Sequence, residues 1–164
     1  MAAAIELAVV LPTSREVTWD LVTQPAHLRN WFGSHVSLDA KPGGEFSETW
    51  SQGGRQVITS GRVDEYDPPH RIGWSWSDDD WTVTTHMRLT LEAAAAGTAV
   101  RLLHSGWSGF PGPRGDELRQ AHNAGWRQHL DDLARYAAQA APPGALAGQR
   151  SASHTGDDQT GADA

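Results

Sequence analysis

The 164-residue chain carries 13 basic and 20 acidic residues, a net charge of −7, and still −5 when Arg150, Asp157, Asp158 and Asp163 near its end are set aside. That balance argues against nucleic acid as a partner, because phosphate binding needs a concentrated basic face. The lack of cysteine excludes disulfides, thiolate metal sites and cysteine nucleophiles, and no apolar run reaches the ~20 residues of a membrane span.

A single core is expected at this length, formed by residues 1–141. From Pro142 onward the chain is rich in Gly, Ala, Ser, Thr and Asp and almost free of large apolar residues, so 142–164 is expected to be a disordered polar tail. The opening MAAAIELAVVLPTS has no basic start, and Glu6 breaks its apolar run, so it does not read as a secretory signal and a cytoplasmic protein is expected. Twelve arginines against one lysine, amid abundant Ala and Gly, reflect the codon bias of a GC-rich genome.

In chain order, Ile5 to Leu11 reads as a strand. Thr13 or Ser14 can then cap a short helix carrying Val17, Leu21 and Val22 at helical spacing, and Pro25 to Phe32 continues as a second one. Strands follow at His35 to Asp39, Gly44 to Trp50, Gln56 to Tyr66 and around Ile72 to Ser77, separated by KPGG, SQGG and DPPH. The clearest alternation runs from Trp81 to Glu92, with Trp81, Val83, Thr85, Met87, Leu89 and Leu91 on one face. Between these last two strands lies Ser77-Asp-Asp-Asp80. Aspartates suit turns because they bond nearby backbone amides, and DDDW lacks the further spaced oxygens and the glycine of a Ca²⁺ loop. After AAAAG, Ala99 to Ser105 is the seventh strand.

The last element is a long helix from about Asp116 to Ala141. At 100° per residue, Leu118, His122, Trp126, His129, Leu130, Leu133, Tyr136 and Ala137 share one arc, opposite Gln120, Ala124, Arg127, Asp131 and Arg135. This order predicts an α+β fold in which a curved antiparallel sheet of about seven strands wraps around the long C-terminal helix, with two short helices after the first strand. A sheet bent around a helix leaves space between them, a natural pocket with apolar walls and a few polar groups.

Several stretches resemble one family: LPTSREVTWDLVTQPAHLRNWFG (Leu11 to Gly33), KPGGEF (Lys41 to Phe46), GRVDEYDPPHRIGWSW (Gly61 to Trp76), GTAVRLLHSGW (Gly97 to Trp107) and HNAGWRQHLDDLARY (His122 to Tyr136). Over about residues 5 to 140 they resemble the Aha-type branch of the START-like (SRPBCC, Bet v-like) superfamily, named for the activator of the ATPase of the ninety-kilodalton heat-shock chaperone. The resemblance implies the helix-grip fold and a cavity like those in which START-like proteins hold lipids, hormones, polyketides and other apolar molecules. This chain resembles the small bacterial members, without the additional N-terminal domain of the eukaryotic chaperone activators, so a chaperone partner is the alternative expectation.

Alternation places Glu48 on the face of Phe46 and Trp50, and His104 on that of Val100 and Leu102, while His122 and His129 lie among apolar helix neighbours. Trp74, Trp76 and Trp81, joined by Trp50 and Trp126, are expected to face the same interior, where several indoles with N–H groups needing partners suit a cavity better than a dry core. Trp107 and Phe110 sit in a Gly- and Pro-rich connection, His104 to Gly115, that reads as a lid over the pocket, the alternative being an ordinary connector. The histidines and Glu48 lack compact ligand spacing and nothing resembles HExxH, so neither metal nor other cofactor is expected. The expected function is binding of a small apolar or aromatic molecule, with no catalytic residue assigned. Cyclase, hydrolase or isomerase chemistry by a pocket His and Glu is the other alternative.

Overall fold

Period-two alternation of apolar and polar residues builds seven strands, and the arc of apolar residues near the C-terminus builds the helix they grip. The computed structural model describes residues 3–140, so the tail expected over 142–164 lies outside the described residues. In chain order the elements are β1 (Ile5–Leu11), α1 (Arg15–Thr23), α2 (Pro25–Trp31), β2 (Val36–Leu38), β3 (Glu45–Gln52), β4 (Arg55–Asp67), β5 (Arg71–Asp78), β6 (Thr85–Ala94), β7 (Gly97–Ser105), a 3₁₀ turn (Trp107–Gly109) and α3 (Arg114–Ala140). The strands form one antiparallel sheet in the order β1-β7-β6-β5-β4-β3-β2. Successive hairpins run from β2 to β7, and β1 closes beside β7. The α1–α2 pair therefore carries the chain from one edge of the sheet to the other.

Local chemistry sets the helix starts. Ser14 caps α1 by accepting the Val17 N–H at 3.1 Å, and Pro25 occupies the first turn of α2, where its missing N–H costs nothing. A register shift between Val63 and Glu65 adds a bulge to β4 against β5, which bends the strand and increases its twist. On the concave face, Phe46, Trp74, Trp76, Met87, Leu89, Val100 and Leu102 meet Trp126, Leu130, Leu133 and Ala137 of α3 in one buried core.

The α+β architecture follows the sequence expectation; most boundaries move by one or two residues, and one moves further. The strand expected from Trp81 begins only at Thr85, which pairs with Trp76. Residues 79–84 form a loop instead: the backbone turns onto the Asp78 carbonyl, Asp79 accepts the Ile58 N–H of β4 at 3.3 Å, and Arg55 clamps Asp79 and Asp80. Trp81 N–H donates to the Asp78 carbonyl at 2.9 Å, and Arg55 reaches Asp79 at 3.5 Å and Asp80 at 3.2 Å. Among the described residues no helix is long and apolar enough to cross a membrane.

Gly61 marks a position where only hydrogen fits: a Cβ there would lie 1.6 Å from the Ser75 carbonyl oxygen on β5. Because the obstacle is backbone, relief requires the two strands to part. Gly61→Ala is expected to destabilise the fold by about 1–3 kcal/mol, the range for overpacked sites, measured as a lower midpoint in urea unfolding. An unchanged midpoint would contradict this packing.

Candidate ligand cleft

The interior is organised around a histidine that both sides of the fold use. His104, on β7, is fully buried, and its ring is bonded at both nitrogens. Trp126 Nε1–H on α3 donates to its Nδ1 at 3.0 Å. Thr85 Oγ1 lies 2.8 Å from its Nε2 and already donates its own hydrogen to the Trp76 carbonyl at 2.8 Å, so it must accept from Nε2–H. Only the neutral tautomer protonated at Nε2 satisfies the whole chain. Burial, with smaller contributions from His122 and His86, holds His104 well below the usual histidine pKa. His104 was expected to line a pocket, but the structure makes it a satisfied core residue behind one.

In front of it, between the sheet and α3, lies a cleft of about 270 Å³. The sheet wall carries Glu48 and Trp50 from β3, Thr59 from β4 and Trp76 from β5; the helix wall carries His122, Trp126 and His129. Exposed Gln52, Ala121 and Gly125 stand at its mouth. Gly125 leaves its side of the helix open, since a Cβ there would meet nothing within 4 Å.

Six of the twelve candidate residues therefore come together on the cleft: Glu48, Trp50, Trp76, His122, Trp126 and His129. Phe46 and Trp74 lie behind the wall, Phe46 stacking at 5.1 Å on both Trp74 and Trp76. Trp81, Trp107 and Phe110 do not line the cleft. They pack on one another and, through Trp81 and Trp107, on His122, with Trp81 and Phe110 ring centroids 5.0 Å apart. The connection read as a lid is thus a packed plug: Trp107 is buried and donates its Nε1–H to the His104 carbonyl at 2.9 Å.

A polar strip crosses the sheet wall. Trp50 Nε1–H donates to Thr59 Oγ1 at 3.0 Å, and Thr59 donates to buried Asp78 at 2.5 Å. Glu48 holds His35 through Oε2 at 2.9 Å. Burial raises the pKa of both carboxyls, most strongly opposed by His35 at Glu48 and by the Thr59 hydrogen bond at Asp78; each feels a nearby like charge. On the helix wall, burial lowers the pKa of His122 and His129. Asp78, Thr59 and His35 were missed in the sequence. For Asp78 a signal existed, since Trp74, Trp76 and Asp78 continue one period-two face.

Ligating atoms of Asp64, Glu65 and His86 lie within 4.8 Å of one another, and none of these residues lines the cleft. All three are engaged by protein partners: His86 bonds Asp64 at 2.7 Å, and Glu65 takes Arg88 at 2.8 Å and Arg71 at 3.5 Å.

Fully buried His104 and half-buried His122 and His129, all with lowered pKa, shape the expected response to acid. Each is neutral in the fold but protonates near the ordinary pKa of about 6.5 when unfolded, so below that pH the unfolded chain binds more protons and stability falls. Glu48 and Asp78 act oppositely, taking up protons in the fold before the unfolded chain does, and offset part of the loss at lower pH. The unfolding free energy is expected to fall between pH 7.5 and 5.5, by at most about 1.4 kcal/mol per pH unit for each histidine, read as a falling thermal midpoint that falls less steeply in His122→Gln. A midpoint that holds or rises on acidification would contradict neutral buried imidazoles.

The comparisons agree with this architecture. A family model described as "Activator of Hsp90 ATPase homolog 1-like protein" matches residues 12–138. A structural-genomics protein of Mesorhizobium loti has the same fold with a TM-score of 0.71 at 19% identity, covering 85% of this chain and 100% of that one. One from Chromobacterium violaceum has a TM-score of 0.65 at 23% identity, covering 80% and 95%. DynU16, a protein in the dynemicin biosynthetic locus, has a TM-score of 0.67 at 26% identity, covering 85% of this chain and 48% of its own. A search of curated proteins finds no match. With 127 consecutive positions matched by one family model, the chain belongs to the Activator of Hsp90 ATPase homolog 1-like family.

Proposed function

We propose that the protein is a cytoplasmic binder of a small apolar or aromatic molecule, held in the cleft between the sheet and α3. The observation that carries this reading is the state of the cleft walls. Two buried polar atoms of cleft residues, Trp76 Nε1 and His129 Nδ1, have no hydrogen-bond partner among the described residues. Leaving such a group unpaired costs about 1–3 kcal/mol, and because both atoms are sealed in the wall, a ligand recovers that cost by drawing these side chains round to its own polar atoms. The remaining surface is mainly indole and imidazole, and about 270 Å³ suits one or two fused rings more than an extended lipid chain.

The family's name points to a chaperone, but two of the four unpaired buried polar atoms among the described residues belong to cleft residues, beside a mainly aromatic lining, which favours a small molecule. DynU16, the most identical of the three structural relatives described above, comes from a biosynthetic locus, which also supports a small-molecule occupant.

Three of the eight tryptophans line the cleft, so binding is expected to change their emission. Titration with neutral two-ring aromatics such as 2-naphthol should quench or shift tryptophan fluorescence saturably. Gly125→Leu should abolish the response, because the new side chain enters open space at the mouth, while the better helix former keeps or raises the thermal midpoint by about 0.5–1 kcal/mol of stability. Undiminished binding in that variant, or no response to any such compound, would contradict the proposal.

A further inference from the structure

The backbone of α3 fixes the tautomer of His122. Its Nδ1 lies 2.9 Å from the Leu118 carbonyl oxygen one turn earlier, and a carbonyl can only accept, so Nδ1 carries the hydrogen. In the neutral ring Nε2 is then a bare lone pair. It makes no hydrogen bond to any described residue, and unlike His129 Nδ1 it is not sealed in the wall. A base whose orienting bond lies at the opposite nitrogen is the arrangement that proton abstraction needs.

The surroundings supply the other parts. Asp78 on β5 and His104 on β7 are the titratable groups whose charge interactions are coupled to His122. His104 is locked neutral by its two hydrogen bonds, so Asp78 is the acidic group whose interaction favours the protonated form of His122. Glu48 lines the same cleft from the sheet side; its Oε2 is held by His35 and its Oε1 makes no hydrogen bond to any described residue. Burial shifts this carboxyl toward its protonated form, against the pull of His35, and shifts the histidine toward its neutral form, the directions that an acid and a base facing one ligand need. Trp76, with its ring centroid 6.0 Å from that of His122, adds an unpaired N–H in the sheet wall.

We propose that the cleft catalyses enolisation of a bound cyclic or aryl ketone, with His122 Nε2 as general base and Glu48 as general acid. This rests on the binding reading above. The α-hydrogen leaves carbon as a proton and bonds to Nε2, and the C–H electron pair becomes the new C=C bond. The carbonyl π pair moves to oxygen, which takes the proton of the Glu48 carboxyl. The proton on His122 then passes through water to Glu48, restoring both groups, so the net change is ketone to enol with no oxidant or reductant.

The test uses 2-tetralone, a two-ring ketone with acidic α-hydrogens, and the full chain in D₂O. Loss of the α-proton signals in ¹H NMR reports the exchange, and tryptophan quenching reports binding. Exchange is expected to exceed the matched buffer rate by about 100-fold, within the usual range for general acid–base catalysis. The rate should stay level below pH 6.5, where free imidazole loses its base. His122→Gln and His122→Leu should return exchange to the buffer rate while quenching persists, and Glu48→Gln should lower it with binding retained. Binding with exchange at the buffer rate would overturn the catalysis and leave the binding reading standing. Exchange that survives in both His122 variants would overturn the assignment of the base, and absence of 2-tetralone binding would overturn the catalytic proposal and count against the binding reading as well.

Discussion

One neutral imidazole joins the two layers of this fold. His104 accepts from the indole of Trp126 on the helix and donates to Thr85, whose hydroxyl donates in turn to the Trp76 backbone. Every hydrogen on this path has one possible position, so the chain is directional and tolerates no extra proton. Its carbonyl also accepts from Trp107, which ties the connection before α3 to the same residue. Fixing Trp126 against β7 sets how closely the helix approaches the sheet, and hence the space left toward β3 and β4. The cleft is where the sheet extends past the helix side chains able to fill it.

That origin explains the unequal chemistry of the walls. Near β7 the polar groups are paired and the packing is aromatic, with Trp76 set between Phe46 and the ring of Trp126 at 5.1 and 5.3 Å. Toward the mouth the pairing is incomplete: Glu48 uses one oxygen on His35, His122 uses one nitrogen on its own helix, and Trp76 and His129 keep buried polar atoms unpaired. A purely structural core would gain from losing these groups. Arg15 and Trp74 keep unpaired nitrogens elsewhere, so it is the union of such groups with open space at the cleft that favours a ligand.

The fold was legible because its signals are periodic and local. Alternation located the strands, Ser14 and Pro25 the short helices, and the spacing from Leu118 to Ala137 the gripping face of α3. The Aha-type resemblance agreed with the family that the chain proves to belong to. Trp81 misled because its alternation with Val83 and Thr85 continues past the strand end, while the aspartates before it are tied to Arg55 and Ile58 of β4, a contact distant in sequence. Within the site, facing could be read but pairing could not. Glu48 and His104 both point inward, yet whether an inward group meets the cavity or a partner depends on register. Thr59 sits opposite both Glu48 and Asp78 across two hairpins, a relation no local pattern encodes.

The account is tested most directly by the ¹⁵N–¹H NMR correlation pattern of the His104 ring in the intact protein, followed from pH 8 to pH 5. It requires the signature of a neutral ring protonated at Nε2, with Nδ1 bearing no hydrogen, unchanged across that range while the protein stays folded. A ring protonated at Nδ1, or one that titrates near the ordinary histidine value with the fold intact, would contradict it.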